Sequence, residues 1–234
     1  MKRVQDLIAA RQREFAALPF ARRLEEEGTI EDVAAFAPGL TFFVLAFQDV
    51  LRLNESRVSD PAIRRIVRRH RFEERGHEAW FLHDIAELRI ERDVRWIFGA
   101  HHEATRDASY AIISEVLAAR DDRVRLTLLL ILEATSEVFS SRIGRYLARA
   151  DHENPLYYFA RTHHDREMGH ELFAGDAKRE ILSFELPPDV LKEAQGLVDR
   201  VFDAMTEVFS ELEARVVRSR MGLASSRPRP GDAE

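Results

Sequence analysis

Apolar residues recur at three- and four-residue spacing through most of the chain, which is the period of a helix that buries one face. Glycine and proline fall at the boundaries of these stretches, and no β-branched alternation is long enough for a strand. The pattern therefore predicts an all-α, single-domain bundle of seven helices. The predicted helices cover residues 4–26, 29–53, 60–90, 94–119, 122–150, 155–182 and 188–221.

Helix starts and the domain boundary follow from local chemistry. Asp60-Pro61 and Asn154-Pro155 each place a capping side chain before a proline, whose missing N–H is harmless in a first helical turn. Residues 223–234 contain two prolines and lack apolar periodicity. We therefore expect one helical domain over residues 1–222, followed by a disordered C-terminal tail.

Charge and composition narrow the expected partners. The net charge of -6 and a pI near 5.9 give no broad attraction to nucleic acid or to anionic lipid. The arginines around residues 65–75 alternate with glutamates, as on a solvated helix face. We expect no nucleic-acid partner and no membrane partner.

The chain has no cysteine, which removes disulfides, thiolate metal sites, iron–sulfur clusters and cysteine nucleophiles. Charged residues interrupt the apolar run near the N-terminus too early for a signal peptide, and we expect no membrane-spanning segment. These features favour a cytoplasmic location.

The segment 161–170 carries three side chains with metal-ligating chemistry. At about 100° per residue, His163, Glu167 and His170 lie within roughly 60° of one another on a helix face. Imidazole nitrogen and carboxylate oxygen suit iron, manganese or zinc, and a face of two histidines and one carboxylate leaves coordination positions open.

Two other segments supply further candidate ligands. Glu74 and His77 form a Glu-x-x-His pair, as in helical carboxylate-bridged di-iron sites. Glu133 ends an apolar run over residues 126–132, where an unpaired charge would be costly, so this side chain needs a partner. The predicted metal ligands are Glu74, His77, Glu133, His163, Glu167 and His170.

Neighbouring residues leave alternatives open. Glu137 could replace Glu133, Glu73 could replace Glu74, and Asp49 is a further candidate carboxylate. His164 or Asp165 could replace members of the third group. The remaining histidines are predicted to lie at the surface or behind the ligands, and they are His70, His83, His101, His102 and His152.

With these ligands, the chain resembles the heme-oxygenase-like di-metal oxidase and oxygenase family over about residues 4–215. Family helices supply a Glu and a His, then a single Glu, then His-x-x-x-Asp-x-x-His, and the six candidate ligands match these positions. Glu167 departs from the pattern, because it stands where the family usually has Asp. The segments Leu18-Pro19-Phe20 and Phe42-Phe43 add to the resemblance.

The resemblance implies a heme-oxygenase-like fold and a site for two iron ions, with manganese as an alternative metal. It implies a non-heme oxidoreductase that uses dioxygen to oxidise an amino acid, a fatty acid or another intermediate of secondary metabolism, by N-oxygenation or carbon–carbon cleavage. A small-molecule substrate, an external electron donor and a second copy of the chain in a homodimer are the expected partners.

Four other functions compete with this expectation. Heme oxygenase itself is disfavoured, because it needs a histidine on the first helix and the first histidine here is His70. A ferritin-like di-iron protein would use Asp49 as its additional carboxylate but would leave His163 unexplained. Iron storage or sensing on the same ligands, and a helical scaffold whose His and Glu residues are merely solvated or ion-paired, are the remaining alternatives.

Overall fold

The computed structural model describes residues 1–26, 28–90, 97–147, 155–160, 163 and 175–222. Within these ranges every regular element is helical, which confirms the all-α prediction. In chain order the α-helices are α1 (Lys2–Ala16), α2 (Pro19–Arg23), α3 (Ile30–Arg57), α4 (Pro61–Glu73), α5 (His77–Glu87), α6 (Glu103–Ala118), α7 (Asp122–Tyr146), α8 (Gly175–Ser183) and α9 (Pro188–Arg220). A short 3-10 turn, Ala100–His102, precedes α6.

The predicted helix over residues 4–26 is wrong, because α1 and α2 are separate segments. Pro19 occupies the first turn of α2, and Leu18 before it is extended, with φ -60° and ψ 150°. A proline ring clashes with a helical conformation of the preceding residue, so the chain breaks there.

The predicted helix over residues 60–90 is also divided. Gly76 has φ 96°, in the left-handed region that favours glycine, and it separates α4 from α5. Glu74 consequently lies in the turn between the helices and His77 begins α5, so the two residues do not share one continuous helix.

The predicted helix over residues 155–182 is wrong in its first part, since residues 155–160 form an irregular segment. Residues 98 and 99 are likewise not helical, so α6 begins later than predicted. The three predictions over residues 29–53, 122–150 and 188–221 agree with α3, α7 and α9 within a few residues. The count of seven helices is not confirmed, and the predicted tail over residues 223–234 lies outside the described part of the chain.

Helix α7 forms the centre of the bundle. Its residues 124–135 are all buried, and α1, α4 and α9 pack against it. Helix α3 packs against α4, α5, α6 and α9. Because α7 is covered on several sides, its sequence is apolar around most of its circumference, and Glu133 is an exception that requires its own explanation.

Helix α3 is long and apolar enough to cross a membrane by length and composition alone. Half of its most apolar window, 50%, is buried inside the bundle, and a core helix of a soluble protein passes the same test. The feature is weak evidence for a membrane location.

One end of α3 is held to α7 and α9 by what we call the Asp32 cluster, formed by Thr29, Asp32, Tyr146 and Arg220. The buried Asp32 carboxylate accepts from the Tyr146 hydroxyl at 2.9 Å, from the Thr29 N–H at 3.1 Å and twice from Arg220 at 2.9 Å. The Arg220 hydrogen bonds are the largest cause that lowers the pKa of Asp32 to about 2. Burial, and then Asp32, raise the pKa of Tyr146.

Candidate metal centre

Three buried side chains from two helices and a turn converge beside α7. One potential ligand atom from each of His70, Glu74 and Glu133 lies within 4.8 Å of the others. The exposed fractions of these residues are 1%, 5% and 6%, and the His70 Nδ1 lies 3.0 Å from a Glu133 carboxylate oxygen. The arrangement places two carboxylates and an imidazole in a space with little access to water.

The sequence of α4 explains the position of His70. Asp60 caps the helix through the N–H groups of Ala62 and Ile63, and Pro61 occupies its first turn. His70 follows Ile63 by seven residues and Val67 by three, so it shares their buried face. The arginines of α4 occupy the opposite, solvated face.

Glu74 is placed by the turn that ends α4. Its N–H donates to the His70 carbonyl at 3.0 Å, and its carbonyl accepts from the Gln48 side chain of α3 at 2.8 Å. Its carboxylate lies 2.9 Å from the His77 Nδ1 at the start of α5. Glu74 therefore contacts His77 while also lying within reach of the His70 and Glu133 ligand atoms.

Two further imidazoles extend the group. The rings of His77 and His163 are 4.7 Å apart between centroids, and the Trp80 ring stacks on His77 at 5.0 Å. Both histidines are buried. We call the five residues His70, Glu74, His77, Glu133 and His163 the histidine–glutamate cluster.

The backbone fixes the tautomer of His163. Its Nδ1 lies 2.7 Å from the carbonyl oxygen of Tyr158. A carbonyl only accepts, so Nδ1 must carry the proton, and the neutral ring then has its lone pair on Nε2. Metal-binding histidines generally have this arrangement, in which one ring N–H donates to a carbonyl or carboxylate while the other nitrogen coordinates.

A cavity of about 70 Å³ adjoins the cluster. Glu74, His77 and His163 form part of its wall. Most of the remaining wall is apolar, with Gln48, Glu78, Thr135 and Ser136 as further polar members. Seven aromatic residues at helical spacing are candidates for the wall of such a cavity: Phe43, Phe47, Trp80, Phe81, Phe139, Tyr158 and Phe173. Four of them line it, namely Phe43, Phe47, Phe139 and Tyr158.

Two of those seven aromatic residues lie elsewhere, and one cannot be placed. Trp80 contacts the two histidines, and Phe81 is fully buried behind Tyr158 with ring centroids 5.1 Å apart. Phe173 lies outside the described residues.

Four of the six predicted ligands, Glu74, His77, Glu133 and His163, belong to this cluster. Glu167 and His170 lie outside the described residues, as do His164 and Asp165.

The alternative carboxylates point elsewhere. Glu137 is exposed and accepts from Gln12 at 2.8 Å. Glu73 accepts from Arg69 at 3.1 Å. The side chain of Asp49 is 64% exposed and accepts from Arg52.

The expectation that His70 lies at the surface is wrong, because the residue is 1% exposed, and one of its ring nitrogens lies within 4.8 Å of ligand atoms of Glu74 and Glu133. A usable signal was present in the sequence. His70 precedes Glu74 by four residues and His77 by seven, in phase with the apolar residues of α4. His102 is also buried, whereas the His83 side chain is 37% exposed.

The donor types of the cluster are those that bind iron, manganese or zinc. Buried carboxylates need compensation by hydrogen bonds, positive charge or a metal ion, and a lone buried anion would be strongly unfavourable. The residues present could therefore hold a metal. Comparison of the sequence with protein-family models and with curated proteins finds no significant match.

Proposed function

We propose that this chain is a non-heme di-iron oxidoreductase with a heme-oxygenase-like architecture, which uses dioxygen to oxidise a small organic substrate. The observation that carries the proposal is the buried group of His70, Glu74 and Glu133, continued by His77 and His163 beside a cavity. When bound, a pair of iron ions would supply the capacity to activate dioxygen, with manganese as the alternative metal.

In this proposal the ligands divide into two groups. His70 and Glu133 form one, and His77 and His163 form the other, with Glu167 and His170 as further ligands from the sequence pattern. Glu74 is suited to serve both groups, because its carboxylate contacts His77 and lies within 4.8 Å of the His70 and Glu133 ligand atoms. A shared carboxylate is the usual link in helical di-iron proteins.

At about 70 Å³ the cavity has room for dioxygen and for part of a small substrate. Its largely apolar wall suits an apolar group. Gln48, Thr135 and Ser136 offer hydrogen bonds that could orient the reacting group. The substrate classes proposed are an amino acid, a fatty acid or another secondary-metabolism intermediate.

Two of the competing functions receive less support. A ferritin-like site would need Asp49, whose exposed side chain is directed to Arg52. A helical scaffold gives no reason for two carboxylates and an imidazole to converge inside the bundle, where burial of charged groups is unfavourable. Iron storage would use the same ligands, and only turnover of a substrate separates it from the oxidase.

The proposal is tested by titrating the anaerobic, metal-free protein with Fe(II), beside the His70→Ala and His163→Ala variants. Two irons per chain are expected for the wild type, with fewer bound in each variant. His102→Gln is the matched control and should bind two irons, because His102 is equally buried but belongs neither to the histidine–glutamate cluster nor to the cavity wall.

Oxygen is then admitted to the iron-loaded protein in the presence of candidate substrates. Sustained oxygen uptake that depends on a substrate supports the oxidase, whereas a single stoichiometric uptake would favour iron storage. Absence of stoichiometric iron binding by the wild type would contradict the whole proposal.

A further inference from the structure

Asp84 is a carboxylate inside the protein that none of the functions considered so far requires. It lies on α5 and is fully buried, one residue after His83 and three after Phe81. Burial of an ionised carboxylate is unfavourable unless hydrogen bonds replace those to water. The hydrogen-bond partners of Asp84 therefore show which part of the chain its carboxylate holds in place.

Three consecutive backbone N–H groups converge on this carboxylate. The N–H groups of Tyr157 and Tyr158 donate at 2.8 Å, and that of Phe159 donates at 3.0 Å. The His83 Nδ1 lies 3.2 Å away on the same carboxylate. Successive backbone N–H groups that point to one place form a binding site for an anion, and here the anion is a side chain of the protein itself.

The segment held in this way is the irregular stretch 155–160, which lies outside the helices. The same residue whose N–H binds Asp84, Tyr158, presents its carbonyl to the Nδ1 of His163 at 2.7 Å. The backbone N–H of His163 also donates to the carbonyl of Ala160 at 3.1 Å. A continuous chain of hydrogen bonds thus runs from Asp84 through the Tyr158 backbone to the His163 ring.

We propose that Asp84 is a positioning residue for the candidate metal centre: by binding the backbone of residues 157–159 it orients the Tyr158 carbonyl, which holds His163 in the Nδ1–H tautomer, whose Nε2 would coordinate a metal. This inference rests on the proposed function for its metal, but the orientation of the ring does not require a metal to be present. Residues that support ligating histidines typically change metal affinity by about 10–100-fold when they are replaced.

The first test is made on the metal-free protein with 15N-labelled histidine. Two-bond 15N–1H spectra distinguish the two neutral tautomers, and a His163→Gln spectrum assigns the His163 signals. The wild type is expected to show the Nδ1–H tautomer at His163. Asp84→Ala should give a mixture of tautomers, and Asp84→Asn, which keeps one accepting oxygen, should give a smaller change.

The second test measures Fe(II) affinity, where the same variants should bind on the order of 10–100-fold more weakly than the wild type. Asp32→Ala is the matched control. Asp32 is also a buried carboxylate that accepts backbone and side-chain hydrogen bonds, but it does not line the cavity. It should lower the melting temperature without changing the His163 tautomer or the iron affinity.

The outcomes separate the two proposals. If the wild type binds iron but both Asp84 variants keep its affinity and the Nδ1–H tautomer, Asp84 is merely structural and the inference is overturned. If the wild type binds no iron while the tautomer depends on Asp84, the proposed function fails and the positioning of His163 stands.

Discussion

Two groups of side chains in this bundle each hold carboxylates away from water, and the carboxylates of the two groups have different partners. In the Asp32 cluster, the carboxylate is matched by a permanent cation, Arg220, with a tyrosine hydroxyl and a backbone N–H. In the histidine–glutamate cluster, a Glu74 carboxylate oxygen lies 2.9 Å from the His77 ring and a Glu133 carboxylate oxygen lies 3.0 Å from the His70 ring. An arginine is charged at every ordinary pH, whereas an imidazole is neutral or charged according to its surroundings.

The difference distinguishes a structural carboxylate from a candidate ligand. The Arg220 guanidinium balances the charge of Asp32 and binds its carboxylate through two N–H groups in a fixed geometry. The Asp32 carboxylate therefore needs no metal ion. Imidazole and carboxylate are, by contrast, both metal ligands. In the histidine–glutamate cluster a metal cation could balance negative charge while the two types of side chain share its coordination.

The largest expected effect concerns Glu133. Glu133→Gln keeps the shape and the hydrogen-bonding capacity of the side chain but removes its charge. We expect Fe(II) affinity to fall on the order of 100-fold or more, beyond the typical effect of an outer residue. The metal-free variant should be as stable as the wild type or more stable, because a buried charge is removed. Titration and thermal melting measure the two effects, and a marked loss of stability without loss of iron affinity would contradict the comparison.

The opposite result is expected for the Asp32 cluster. Asp32→Asn removes the anion that Arg220 and Tyr146 bind, and it should lower the free energy of unfolding by about 2 kcal/mol, as for hydrogen bonds to a charged group. Iron affinity should not change. Urea denaturation measures the stability, and a loss of iron binding by a well-folded variant would show that the two clusters are coupled.

The pH dependence of stability sharpens the same contrast. Because the folded-state pKa of Asp32 is about 2 and its ordinary value is 3.8, its contribution is present above about pH 4 and is lost as the pH falls towards 2. The difference in unfolding free energy between wild type and Asp32→Asn should therefore shrink over this range. A difference that stays constant from pH 5 to pH 2 would show that the Arg220 pairing does not depress the pKa.

The smallest effect concerns the break between α4 and α5. Gly76→Ala places a side chain at φ 96°, where steric strain of about 1–2 kcal/mol is expected although no atom lies within 4 Å of the new carbon. Gly222→Ala is the control, since φ there is 68° and no atom lies nearby. Both variants should lose similar stability in thermal melting, but Gly76→Ala alone should weaken iron binding, because the turn sets Glu74 against His77.

The sequence was sufficient to predict those parts of the structure that depend on local and periodic patterns. The course of α3, α7 and α9 follows from apolar spacing, and Glu133 was recognisable as an acid at the end of an apolar run. The breaks at Pro19 and Gly76 were underestimated, because a single proline or glycine is compatible with a continuous helix unless the packing favours a turn.

The sequence marks His70 as a residue on the buried face of α4, but it does not show which side chain the ring meets. A histidine on the apolar face of α4 is compatible with a packed core residue, and only the fold brings its ring to Glu133 on α7. The partners of Asp84 were still less accessible, since they are backbone groups more than 70 residues away in the chain. Contacts of this kind depend on tertiary packing, not on any local pattern.

The account is tested most directly by anomalous diffraction at the iron edge from crystals grown anaerobically with Fe(II). It predicts two anomalous peaks inside the bundle, one beside His70 and Glu133 and one beside His77 and His163, with Glu74 between them. Peaks confined to the protein surface, or none in crystals whose density shows the cluster side chains as described, would contradict the assignment of a di-iron centre to these residues.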